Sequence, residues 1–194
     1  MTERSDPQNT VKPPSADGLA KAASAATQKG PPPVHLWNPP FCGDLDMEIR
    51  KDGTWFYQGT PIGREALVKL FASILKLEEG RYFLVTPVEK VGIRVEDAPF
   101  IAVDCVAENE ALTFTTNVGD RVAAGPDNPI RVQFAEDGEP RPYVHVRRGL
   151  EARIDRKTFY RLVDLAKPGP HAGEDWLGLT SNGAFFPITR MADL

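Results

Sequence analysis

One stretch of this chain occurs twice, and no other feature constrains its fold as much. Ile62-Gly63-Arg64-Glu65-Ala66-Leu67-Val68-Lys69-Leu70-Phe71 aligns without gaps on Ile154-Asp155-Arg156-Lys157-Thr158-Phe159-Tyr160-Arg161-Leu162-Val163. Internal similarity of this kind points to a repeated supersecondary unit. Leu67, Leu70, Phe71, Ile74 and Leu75 share one stripe at helical spacing, as do Phe159, Leu162, Val163 and Ala166. Both segments predict amphipathic helices. Gly63 and Asp155 stand at the N-cap position; Gly80 closes the first helical region and Pro168-Gly169-Pro170 stops the second.

The flanks match as well. Asp46 to Arg50 and Thr54 to Gln58, joined by Lys51-Asp52-Gly53, predict a hairpin, and Ile130 to Ala135 with Pro142 to Arg147 predict its counterpart. Downstream, Tyr82 to Pro87 and Val91 to Glu96 correspond to Trp176 to Ser181 and Ala184 to Ile188. The unit is therefore hairpin, helix, hairpin. Further strands are expected at Pro99 to Val106, Leu112 to Val118 and Arg121 to Ala124. An internal duplication giving a strand-rich α+β fold follows, with a boundary near Ala107 to Ala111. The expected division is 1–33 as a tail, 34–108 as the N-terminal unit and 109–194 as the C-terminal unit.

Eight of the 18 prolines fall in the first 40 residues. Met1 to Pro33 carries only Val11 and Leu19 as large aliphatics, too few to offset the entropy of ordering. A flexible tail is expected, with a short helix over Gly18 to Lys29 that orders only by docking. The tail lacks the basic start and apolar run of a secretory signal, and no stretch approaches the roughly 18 apolar residues of a membrane helix. A cytoplasmic protein with no membrane partner is expected. Its net charge of −4 argues against nucleic acid. The charge is uneven: Pro40 to Asp120 holds 14 acids and 8 bases, Arg121 to Lys167 holds 7 acids and 10 bases. Cys42 and Cys105, 63 positions apart, fit neither a disulfide framework nor a metal pair.

The run Trp37-Asn38-Pro39-Pro40-Phe41-Cys42-Gly43-Asp44, then Asp52 to Ile62, then Thr86 to Val91, then Val95-Glu96-Asp97-Ala98-Pro99-Phe100 resembles the bacterial family called domain of unknown function 1285. The resemblance covers roughly residues 31 to 190. It implies two consecutive β-roll-like subdomains with repeated motifs and an involvement in signalling; it supplies no catalytic or binding residue.

Asp44, Asp46 and Glu48 share a strand face, but they lack the order of a calcium loop. Tyr143, His145 and Arg147 share another, with the makings of an anion site. No nucleophile elbow, phosphate loop or histidine pair at metal spacing occurs, so neither a metal nor a cofactor is expected. Arg64 and Arg156, common to both copies, predict structural ion pairs. Where the second copy has Ser181-Asn182-Gly183, the first has Pro87-Val88-Glu89-Lys90, a charged pair on a stiffened turn. Glu89, Lys90, Asp97, Trp55 and Arg64 therefore form the candidate ligand-binding set. The leading expectation is a non-enzymatic module binding a small molecule or a protein in a regulatory role. The alternatives are a carboxylate-dependent hydrolase or isomerase using Glu89 and Asp97, with Arg64 for a small anionic substrate, and a homodimeric scaffold.

Overall fold

The computed structural model describes residues 13–28 and 30–194; residues 1–12 and Lys29 of the expected tail lie outside them. Ser15 begins α1 (Ala16–Thr27), its hydroxyl accepting a hydrogen bond from Gly18 N at 3.2 Å. Ala16, Leu19 and Ala23 are buried along one side of α1, which packs against α2 (Glu65–Ser73). The described part of the tail is thus a docked helix, its alanine stripe supplying the contact face.

Two six-stranded sheets follow. The first contains β1 (Phe41–Ile49), β2 (Trp55–Tyr57), β3 (Thr60–Pro61), β4 (Leu75–Glu78), β5 (Arg81–Val85) and β6 (Lys90–Val95), in the order β3-β2-β1-β6-β5-β4. Only the central β1–β6 pair is parallel. The second contains β7 (Phe100–Glu108), β8 (Ala111–Thr116), β9 (Arg121–Ala123), β10 (Ile130–Phe134), β11 (Pro140–Arg147) and β12 (Leu150–Ile154), in the order β10-β11-β12-β7-β8-β9, again with one central parallel pair, β12–β7. Each sheet is therefore two three-stranded meanders joined along one parallel seam. In the first, α2 connects the meanders; in the second, a loop does.

The pleat decides which residues enter the core. In β1, Leu45, Met47 and Ile49 point inward while Asp44, Asp46 and Glu48 point out, and β12 alternates likewise at Leu150, Ala152 and Ile154. One continuous apolar core runs from Leu19 through Trp55, Phe71, Phe100 and Phe114 to Phe159 and Ile188. After α3 (Arg156–Val163), a third, antiparallel sheet is formed by β13 (Lys167–His171), β14 (Glu174–Ser181) and β15 (Ala184–Arg190). Its Ser181-Asn182 turn is pinned to the second sheet. Ser181 Oγ accepts from Leu112 N and donates to Ala124 O, both at 2.8 Å, and Asn182 Nδ2 donates to the same carbonyl at 2.7 Å.

Several expected element ends move. The first helix stops at Ser73, well before Gly80, because Leu75-Lys76-Leu77-Glu78 pairs with β5 as a strand. Glu79 and Gly80, both at positive φ, make the β4–β5 turn. Arg64, not Gly63, is the N-cap of α2, with no side-chain capping bond. Asp155 does cap α3, accepting from Thr158 N at 2.7 Å. Pro168-Gly169-Pro170 lies inside β13, an edge strand where a missing N–H costs no ladder bond. The expected boundary at 107–111 falls on the two-residue β7–β8 turn, inside the second sheet.

Candidate functional site

The joint between the two sheets is the short segment 96–99, and its acids tie both sides. Glu96 Oε2 accepts from Lys51 N at 2.9 Å, holding the β1–β2 turn. Asp97 accepts from the Tyr143 hydroxyl at 2.7 Å and from Arg153 Nη1 at 2.9 Å, holding β11 and β12. Tyr143 sits in register between Arg131 and Arg153, and the Arg131 guanidinium lies 4.1 Å from its ring centroid. Arg131 in turn meets Glu151 in a two-pronged contact of 2.6 and 2.5 Å. Burial pushes the Tyr143 phenol up, and the bond to Asp97 adds to the rise. Tyr82 of the first sheet is also pushed up, by burial and then by the negative charge of Glu151 and Asp97.

Beside this joint lies a cleft of about 340 Å³, a size suited to a small organic ligand. One wall is the Lys51-Asp52 turn of the first sheet, and Ile101 of β7 contributes the surface beside it. Gly53 lets the turn approach this closely: it has φ +85°, and a Cβ there would stand 2.7 Å from Ile101 Cγ1 and 2.8 Å from Asn117 Nδ2. Pro140 and Pro142 of β11 form an apolar side, and Phe159 and Tyr160 bring α3 across from it. The rim carries both signs of charge. Arg156 pairs with Glu139 at 3.2 Å, as expected of a structural arginine, and Arg153 is held by Asp97 from behind. Asp52 accepts from Thr54 N at 2.9 Å, a bond that lowers its carboxyl below the ordinary value.

The expected site residues do not gather here. Trp55 is a core residue, 1% exposed and stacked on Phe71 with centroids 6.3 Å apart; its indole N–H has no partner among the described residues. Lys90 Nζ lies 2.8 Å from Glu78 and 4.9 Å from the Phe83 centroid, so its charge is spent inside the first sheet. Glu89 occupies the β5–β6 turn, where burial raises its carboxyl. Arg64 is exposed at the start of α2 and makes no ion pair among the described residues. Glu89 and Asp97 stand at opposite ends of β6, whose six residues span about 20 Å. Of the five, Asp97 alone reaches the cleft, one contact removed, through Arg153.

The other candidates are also engaged. Asp44 pairs with Arg81 at 3.0 Å and Asp46 with Arg94 at 2.9 Å. Among the described residues no group of three metal-binding side chains converges. His145 Nε2 lies 3.0 Å from Gly149 N and Nδ1 lies 3.0 Å from Asp127 O, so the ring staples two loops. Arg147 binds Asp120 and donates to Ala72 O at 2.9 Å, so the second sheet closes the end of α2. The cleft itself had one sequence signal, the alternating Pro140-Arg141-Pro142, since prolines on a strand leave ladder positions open.

Two six-stranded sheets in tandem, meeting at a joint with a cleft beside it, define a two-domain, strand-rich α+β protein. Family models divide the chain at that same joint. The model for the N-terminal domain of DUF1285, a domain of unknown function, matches residues 32–98, and that for the C-terminal domain matches residues 99–188. The chain belongs to the DUF1285 family. A crystal structure of a DUF1285 family protein from Silicibacter pomeroyi DSS-3 is 61% identical, with a TM-score of 0.81 over 92% of this chain and 98% of that one. A second, from Shewanella baltica OS155, is 33% identical, with a TM-score of 0.50 over 62% of this chain and 91% of that one. No curated protein matches. Among the described residues no helix is long and apolar enough to cross a membrane.

Proposed function

We propose that the protein is a non-catalytic cytoplasmic module that binds a small ligand in the cleft at the domain joint and serves a regulatory role. The observation that carries this reading is the cleft's dual origin. Lys51 and Asp52 come from the first domain, and every other lining residue comes from the second. A ligand there touches both domains, and its binding free energy favours the arrangement in which they close on it.

The hydrolase or isomerase alternative rests on Glu89 and Asp97, which β6 holds far apart, so no single pocket serves both. The duplication reading, with two β-roll-like subdomains, is supported by the shared strand order of the two sheets. The hairpin, helix, hairpin unit is supported by the local order β1–β3, α2, β4–β6 and β10–β12, α3, β13–β15, with the difference that β13–β15 pair among themselves in the third sheet.

The test is titration of the isotope-labelled full chain with a fragment collection spanning anionic, cationic and neutral compounds, read by amide chemical shifts. The expected result is joint movement of Lys51, Ile101 and Tyr160 signals by at least one fragment class. If no compound of any charge moves them, the reading falls.

A further inference from the structure

The acids and bases at the cleft rim are not equivalent. Each acid spends one of its two oxygens, Asp52 Oδ1 on Thr54 N, Asp155 Oδ1 on Thr158 N and Glu139 Oε1 on Arg156, which leaves one oxygen apiece. The bases retain donors. A guanidinium carries five N–H groups, and Arg153 and Arg156 each spend one Nη on a carboxylate. Lys51 makes no ion pair among the described residues, although its backbone N–H is fixed by Glu96. The rim therefore has a surplus of donors over free acceptors around an apolar interior of Ile101, Pro140, Pro142 and Phe159.

From this we infer that the cleft takes a small amphipathic carboxylate: a compact apolar body lies between the prolines and α3, and its head group meets the Lys51 ammonium. The inference rests on the cleft being the binding site. A monoanion fits better than a doubly charged phosphate monoester, because three carboxylates share the rim and oppose a second negative charge. The apolar body drives entry, and the charge-assisted hydrogen bond orients the head.

The test uses three probes of one chain length, octanoate, octanamide and octylammonium, titrated into the labelled full chain with octyl phosphate as a fourth arm. Octanoate should move the cleft signals at the lowest concentration. Lys51→Gln should weaken octanoate about tenfold, the loss of one hydrogen bond to a charged group, and leave octanamide unchanged. Lys51 is exposed and its turn is held through the backbone, so an unchanged melting temperature should confirm that the variant folds. Equal binding of octanoate and octanamide, tighter binding of octylammonium or octyl phosphate, or no effect of Lys51→Gln overturns the carboxylate assignment while the cleft remains a site. If all four probes leave the cleft still while another fragment moves it, the assignment also falls. If nothing moves it, the binding reading falls with it.

Discussion

Arg153 Nη1 lies 2.9 Å from Asp97 Oδ2, so a residue of the domain joint holds a residue of the cleft wall. Asp97 Oδ1 takes the Tyr143 hydroxyl at 2.7 Å in addition. The two charged side chains are 25% and 23% exposed, enough solvent to temper the pair without dissolving it. Asp97→Ala strands both donors. Hydrogen bonds to charged groups contribute roughly 1.5–3 kcal/mol each, and partial exposure lowers that, so about 2–3 kcal/mol should be lost in urea denaturation. Asp97→Asn keeps an acceptor for Tyr143 and should lose about half as much. Equal losses from the two variants would show that the Tyr143 bond contributes nothing, and no loss from Asp97→Asn would show the same of the arginine contact.

Gly53 and Gly59 separate packing from backbone strain. Both have positive φ, +85° and +75°, but a Cβ at Gly59 meets open space while one at Gly53 collides with Ile101 and Asn117. Gly59→Ala should cost about 1–2 kcal/mol from the left-handed backbone alone. Gly53→Ala should cost about 1–3 kcal/mol more, because the turn must lift from the second sheet. Crystallography or cleft-signal shifts should then show Lys51 displaced in the Gly53 variant only.

These relationships were unevenly legible in the sequence. Strand β1 was readable because its acids alternate with Leu45, Met47 and Ile49. Strand β4 was not, since Leu75 fits a helical stripe as well as a pleat, and only its pairing with β5 decides. That omission misdirected the site reading: Glu78 on β4 is the partner of Lys90, so with β4 unseen Lys90 reads as half of a charged pair with Glu89 on the turn. The prolines of β13 read as a stop because edge position, which tolerates them, depends on the sheet. The cleft gathers Lys51, Ile101, Pro140 and Tyr160 through the β7–β12 seam and the Gly53 contact, and periodicity carries no information about either. Asp155 as a helix cap, a purely local matter, was read correctly.

Leu19 is fully buried on α1, whose isolated helical propensity is marginal at 12 residues. Docking supplies its order. Leu19→Ala should cost about 2–4 kcal/mol of that docking free energy. The effect should be local: hydrogen exchange should speed up across Ala16–Thr27 while the β1 amides keep their protection. Uniform acceleration of both would instead make α1 part of a single cooperative unit with the sheet.

Glu78 and Glu89 should leave opposite marks on the pH dependence of stability. Hydrogen bonds from the Lys76 and Lys90 ammoniums, at 2.7 and 2.8 Å, hold the Glu78 carboxyl below its ordinary value of 4.5. The unfolded chain therefore binds the proton first as pH falls. Its contribution is fully present above about 4.5 and is lost as pH drops through the folded value. Burial raises Glu89 instead, so the folded state protonates first, and that contribution is present in acid and lost as pH rises through the folded value. Glu78→Gln should lower urea midpoints at neutral pH and flatten the acid limb. Glu89→Gln should leave the neutral midpoint unchanged or higher and steepen the same limb, since it removes the group that offsets acid destabilisation. Midpoints measured from about pH 3 to about pH 7 on both variants decide it. If the two substitutions change the limb in the same direction, either the Glu78 ammonium pair or the burial of Glu89 is absent in solution.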